Sequence, residues 1–132
     1  MPLSYLRANL ENKKTIINQV TKIKRLKYIE YRYIIIMINN FSSKTAQDIF
    51  DGVSSKFARK IDKKLYAKIT RLFDQLNAVL EVEELRSPPG NRLEKLKGDL
   101  KDFWSLRVND QYRIIFKWRK GVAFDVDIID YH

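Results

Sequence analysis

The sequence predicts an α+β domain in which helices come first and an antiparallel sheet follows. From Lys56 to Leu80, large apolar residues recur every three or four positions, the period of a helix with one buried face. From Phe103 onward, three apolar-aromatic runs are separated by the turn signals Asn109-Asp110 and Lys120-Gly121, the pattern of consecutive antiparallel strands. The helical pattern precedes the strand pattern instead of alternating with it, which separates α+β from α/β architectures.

Composition narrows the function classes. A chain of 132 residues suits one domain with a core of modest size. It has no cysteine, which excludes disulfides, thiol catalysis and Cys-based zinc sites, and its single histidine excludes a His-rich metal site within one chain. No apolar run approaches the roughly 20 residues that span a bilayer. The formal charge of +10 favours a polyanionic partner. Residues 1–36 hold 8 Lys/Arg against 2 acids, however, a net of +6, which leaves 18 against 14, or +4, for residues 37–132.

Residues 1–36 are predicted to be a basic N-terminal extension, with the domain proper running from 37 to 132. The first stretch is rich in Lys, Ile, Asn and Tyr without a clear period. Its candidate elements are a helix over about Glu11 to Tyr31 and a strand at Tyr33–Ile36. A targeting role suits its basic character, but no small-residue cleavage site follows an apolar core. Met37 is a natural start for the domain.

Ile38 to Phe41 reads as a short strand. Ser42-Ser43 caps a short helix over Thr45 to Asp51, which Gly52 ends, and Ser54-Ser55 offers a second cap. The helical stripe from Lys56 uses Phe57, Ile61, Leu65, Ile69, Leu72/Phe73, Leu76 and Val79/Leu80. Each large side chain buried from that stripe contributes about 1.5–3 kcal/mol. Its other face carries Lys56, Arg59, Lys60, Lys63, Lys64, Lys68 and Arg71. Ordinary solvation accounts for such a face; the functional alternative is a phosphate-contacting ridge, supported by Asp62 and Asp74 being its only acids. Val82 to Arg86 is a further helical turn, and Ser87-Pro88-Pro89-Gly90 stops it. Arg92 to Lys97 leads into the sheet, with Gly98-Asp99 as the next turn.

In the sheet, alternation places Tyr112, Ile114, Phe116 and Trp118 on one face, and Phe124, Val126 and Ile128 on one face of the last strand. The long helix packs on that oily side. Arg113, Ile115 and Lys117 point the other way, leaving a partly cationic face open.

No P-loop, dinucleotide fingerprint or nucleophile elbow is present. The candidates for chemistry are Lys97, Arg113 and the closing Asp130-Tyr131-His132, with Glu94 one strand position away. Each has an ordinary structural explanation as a surface or edge residue. Together they supply what metal-free RNA cleavage needs: a base for the 2′-hydroxyl, cations for charge building on the phosphorane, and an acid for the 5′-oxygen. Tyr131 can also stack a base.

The ordered set Leu93-x-x-Leu96-Lys97-Gly98-Asp99, Phe103-Trp104-Ser105 with Arg107, Gln111-Tyr112-Arg113-Ile114 and Asp130-Tyr131-His132 resembles the HigB branch of the RelE/ParE toxin superfamily. The loop Arg86-Ser87-Pro88-Pro89-Gly90-Asn91-Arg92 is similar to that branch too. The resemblance covers about residues 37 to 132. It implies a RelE/ParE-like fold, with N-terminal helices on one face of a C-terminal antiparallel sheet. It also implies a cytoplasmic toxin that cleaves messenger RNA on the ribosome without metal or organic cofactor, held in check by a helix-turn-helix, HigA-type antitoxin. By the same resemblance Lys97 matches the lysine near the scissile phosphate, and Arg113 the arginine that stabilises the transition state. Asp130, Tyr131 and His132 match the triplet needed for activity. The pattern departs at Glu94, where the best-studied members carry a histidine; the expectation is then His132 as acid or base, assisted by Glu94 or Asp130. Lys60, Lys63, Lys64, Lys68, Arg71 and Lys117 are the candidate RNA contacts. Two alternatives stay open: a ParE-like gyrase inhibitor that acts by protein contact, and an RNA-binding module without chemistry.

Overall fold

A computed structural model describes residues 38–131. The expected extension over 1–36, its candidate helix and strand, and His132 lie outside the described residues.

Helix α1 spans Lys44–Asp51 and has both ends the sequence signals require. The Ser43 side chain accepts from the Ala46 N–H, and Gly52 sits at φ 72, where its N–H closes onto the last carbonyls. The stripe that begins at Lys56 is not one helix. Ala58–Lys60 and Lys63–Leu65 are separate 3₁₀ turns, and only Tyr66–Ala78, α2, is α-helical. The break lies at Ile61, which is extended, followed by Asp62, whose carboxylate accepts from the Lys64 N–H and so restarts the chain as a cap. Apolar periodicity survives because Ile61, Ile69, Leu72, Phe73 and Leu76 are buried on both sides of the break. Val82–Arg86 is a 3₁₀ segment in which Glu81 and Glu84 form a capping box. Pro89–Asn91 forms another single turn.

Four strands follow in an antiparallel meander: β1 Glu94–Lys95, β2 Trp104–Arg107, β3 Tyr112–Arg119 and β4 Val122–Asp130. The β3–β4 connection is a two-residue turn in which Lys120 and Gly121 have φ 51 and 80, as a hairpin matched to strand twist requires. Ile38 to Phe41 runs parallel along the outer edge of β4 through two isolated bridges, not as a full strand. The Asn39 N–H donates to the Ala123 carbonyl at 2.8 Å and the Ser42 N–H to Val126 at 2.9 Å, covering an edge that would otherwise be exposed.

The core lies between the helices and one sheet face. Leu72, Phe73 and Leu76 of α2 join Leu106, Ile114, Phe116, Ala123 and Val126 in one buried cluster, with Tyr112, Trp118 and Ile128 at its margin. Phe41, Phe50 and Phe73 pack with ring centroids 5.1 to 5.9 Å apart. One expected position is corrected. Phe124 does not share the core face with Val126 and Ile128, because β4 carries an extra residue opposite Phe116: Lys117 pairs with Phe124, and Ile115 with Asp127. This bulge shifts the alternation, so Ala123 enters the core and Phe124 turns to the face of Lys117. That second face is also less open than alternation suggests. Ile115 on it is only 5 % exposed, and the Lys117 ammonium lies 5.2 Å from the Phe103 ring.

Candidate active site

The second sheet face gathers residues from three separate segments. Glu94 pairs with Ser105, and Ser105 with Ile115, so these three stand in one cross-strand row. Arg113, two residues from Ile115 on β3, reaches diagonally along that face. Its Nη1 donates to the Ser105 hydroxyl at 3.2 Å and to the Arg92 carbonyl at 3.4 Å, and lies 3.8 Å from Glu94 Oε2. Its guanidinium carbon is 5.1 Å from the centre of the Tyr131 ring. The Arg113 side chain is 13 % exposed while that of Glu94 is 51 % exposed, so the cation is fixed in place and the carboxylate faces solvent.

Each partner of Arg113 is itself positioned. Ser105 is fully buried in β2. Arg92 has φ 45, a left-handed conformation at the end of the Pro89–Asn91 turn. Tyr131 is anchored through its N–H to the Gln111 carbonyl at 2.7 Å, and the Gln111 side chain donates to Asp130 Oδ2 at 3.0 Å. Lys97 lies across from this cluster, where Glu94, Lys95, Leu96, Lys97, Leu100 and Tyr131 line a cleft of about 260 Å³. Lys97 is extended, immediately before Gly98 at φ 66. A glycine there lets the chain turn sharply after the lysine.

The structure thus brings Glu94, Lys97, Arg113 and Tyr131 together. Asp130 stands at the end of β4, opposite Tyr112 and held by Gln111. Lys117 belongs elsewhere: four residues along β3 from Arg113, it is 3.3 Å from Asp125 and lines a different cleft. The Asn40 amide and then the Lys117 ammonium hold the Asp125 carboxyl below its ordinary range.

The cationic ridge expected on one helix is distributed over three short elements. Lys60 and Lys63–Lys64 lie on the two 3₁₀ turns, and Lys68 and Arg71 on α2. All are exposed, but Lys64 pairs with Asp62 at 3.5 Å and Arg71 donates to Asn91 Oδ1 at 3.1 Å. Ser105, Arg92 and Gln111 stand in motifs that carry the resemblance, but the sequence assigns none of them a role at the site. Ser105 is part of the Trp-Ser motif, but nothing local indicates that a hydroxyl between two apolar neighbours receives an arginine across the sheet.

Fold and site together define a small α+β protein with a helical layer on one sheet face and, on the other, a fixed arginine against two residues of a small cleft. A family model described as "RelE-like toxin of type II toxin-antitoxin system HigB" matches residues 39–132. The chain is 38 % identical over 89 residues to Toxin HigB-1 of Vibrio cholerae, covering 67 % of this chain and 92 % of that one. It is 33 % identical over 101 residues to Endoribonuclease HigB of Proteus vulgaris, covering 73 % of this chain and all of that one. An uncharacterized protein of Haemophilus influenzae is 42 % identical over 62 residues, 47 % of this chain and 61 % of that one. The chain therefore belongs to the HigB-like toxin family of RelE-like proteins. Membership in a type II toxin–antitoxin family implies an antitoxin as partner. No helix of the described residues is long and apolar enough to cross a membrane.

Proposed function

We propose that this protein is an endoribonuclease toxin that cleaves messenger RNA on the ribosome by acid–base chemistry, with residues 37–132 as the active unit. The observation that carries this reading is Arg113 clamped against Glu94 and Tyr131, two residues that line one cleft together with Lys97. The Endoribonuclease HigB relative supports the reaction class.

In this mechanism a base takes the proton of a 2′-hydroxyl, and the 2′-oxygen attacks the adjacent phosphorus. The bond to the 5′-oxygen then breaks as an acid returns a proton to it, leaving a 2′,3′-cyclic phosphate and a 5′-hydroxyl. Arg113 and Lys97 stabilise the charge that grows on the non-bridging oxygens. A preorganised donor acts well there because it does not reorient as charge develops. Tyr131 stacks a base beside the scissile phosphate. His132 serves as acid or base, with Glu94 or Asp130 assisting. Lys60, Lys63, Lys64, Lys68 and Arg71 bind nucleic-acid phosphates, and a modest +4 on residues 37–132 is enough when the ribosome supplies most of the surface. The neutralising partner is a helix-turn-helix, HigA-type antitoxin.

The test is primer extension on cellular messages after induced expression. Cleavage within translated frames is expected from the intact protein, and Arg113→Ala is expected to lower it by about 100-fold or more, the scale of losing one preorganised donor. Growth arrest with intact messages and accumulating DNA breaks would instead indicate a gyrase-directed inhibitor. Undiminished cleavage by Arg113→Ala would refute the assignment of the site.

A further inference from the structure

The cleft at the hairpin end of the sheet is built by the β4 bulge. Asp125, the extra residue, has φ 51, a conformation unusual for a side chain that is not glycine. Asn40 holds it from the neighbouring edge segment: its Nδ2 donates to Asp125 Oδ1 at 2.7 Å, and its Oδ1 accepts from the Asp125 N–H at 3.0 Å. The result is that Phe124 leaves the core face and stands beside Lys117. Bulges commonly re-aim a side chain next to a functional surface.

The space beside Phe124 measures about 640 Å³ and is lined by Lys95, Lys117, Trp118, Arg119 and Phe124, with Asn39, Asn40, Asp102 and Asp125 completing it. The Arg119 guanidinium lies 4.6 Å from the Phe124 ring centre and the Lys95 ammonium 5.4 Å from that of Trp104. Asp125 is already occupied by Asn40 and by Lys117 at 3.3 Å. A lining that mixes aromatic faces, spaced cations and a few acids suits a polymer that offers flat apolar faces and phosphates in alternation. It suits a uniform polyanion less well.

We propose that this second cleft is a subsite for single-stranded RNA, in which Phe124 stacks a base and Arg119 and Lys117 contact the neighbouring phosphates. Lys95 lines both clefts and marks the route between them. Arg113 and Lys117 are four residues apart on β3, about 13 Å at strand rise, so one short stretch of RNA can engage both. The inference rests on the RNA-cleaving reading and extends it: the protein grips its substrate beyond the nucleotides at the cleaved bond.

The test uses the full chain and a fluorescent single-stranded 2′-O-methyl oligoribonucleotide, which cannot be cleaved, at low salt. Phe124→Ala is expected to weaken binding about fivefold or more, the low end of what stacking one base contributes, and Phe124→Trp to restore it. Arg119→Gln is expected to weaken binding and reduce the salt slope by about one. Thermal unfolding of each variant confirms that the fold is kept. Wild-type binding by folded Phe124→Ala, failure of folded Phe124→Trp to restore it, or no binding by the intact protein overturns the proposal. So does loss of antitoxin binding by Phe124→Ala with RNA binding unchanged. Primer extension separates the two readings. Cleavage by the intact protein together with unaltered binding by Phe124→Ala removes the subsite and leaves the nuclease. Weakened binding by Phe124→Ala, together with no cleavage by the intact protein, removes the nuclease and leaves the subsite.

Discussion

Replacing Asn91 by alanine tests how the loop before the sheet is held. Asn91 is fully buried, in a turn of Pro-Pro-Gly-Asn that contributes little apolar surface of its own. The two hydrogens on its Nδ2 serve three acceptors, one of them shared: the Leu85 carbonyl at 3.0 Å, the Ser87 carbonyl at 3.2 Å and Gln75 Oε1 at 2.9 Å, while its Oδ1 accepts from Arg71. Alanine removes all four. Losing the buried donor to Leu85 costs about 1–3 kcal/mol, because that carbonyl loses the amide paired with it. The other three bonds are partly exposed, and Gln75 still reaches Ser87 at 2.6 Å, so together they add about 1 kcal/mol. The sum, about 2–4 kcal/mol, lowers the melting temperature by about 8–16 °C at about 4 °C per kcal/mol. Asn91→Asp separates the contributions. It keeps an acceptor for Arg71 but loses the donations, and it is expected to destabilise as much as alanine does. Thermal unfolding followed by far-ultraviolet circular dichroism reads both variants. A shift below about 3 °C for Asn91→Ala would refute the reasoning, and a stable Asn91→Asp would locate the stabilisation in Arg71 instead.

Two further outcomes arise from particular contacts. Gly52→Ala places a Cβ at φ 72, where no neighbouring atom lies within 4 Å; the penalty is therefore backbone strain alone, about 1–2 kcal/mol, read as a lower urea midpoint with unchanged slope. Asp48 is 2 % exposed, and its carboxyl is held below 3.8 first by the Ser55 hydroxyl at 2.7 Å and then by Lys44 at 2.9 Å. A depressed carboxyl stabilises the fold above its unfolded value and loses that contribution as pH falls through the folded one. The stability gap between the intact protein and Asp48→Asn is therefore expected to be constant at neutral pH and to shrink below pH 3.8 in urea titrations. A gap that widens with acid would contradict the assignment.

Where local chemistry alone decides, the sequence was legible. Ser43 delimits α1 through a hydroxyl that reaches the Ala46 N–H three residues on, and Gly52 and Lys120-Gly121 supply positive φ angles through their own backbone. The helix break at Ile61-Asp62 was hidden because burial is set by where side chains point. A 3₁₀ turn, an extended residue and an α-helix deliver Ile61, Ile69 and Leu72 to the same core as one helix would. The turned-out Phe124 was hidden for a related reason. Its cause is one extra residue, stabilised by Asn40, which lies 85 positions away in sequence. Alternation read along β4 by itself carries no sign of that partner.

The candidate site divides along the same line. Glu94, Lys97, Arg113 and Tyr131 were each nameable from sequence, since charged and aromatic side chains in otherwise apolar strands stand out. What makes them one site is a set of ties that do not stand out: the Ser105 hydroxyl, the Arg92 carbonyl presented by a left-handed residue, and the Gln111 carbonyl that anchors Tyr131. All three act on the position of Arg113 or of the ring beside it. Two of them are main-chain groups, which no side-chain substitution at their own position removes. Arg113 is consequently positioned by the meander as a whole. Asn91, by holding the turn that ends at Arg92, connects the stability of the loop to the aim of the arginine. Glu94 adds to the same set of ties. A carboxylate 3.8 Å from Arg113 is a fourth restraint on the guanidinium, and its 51 % exposure leaves room for a phosphate to compete for the same cation.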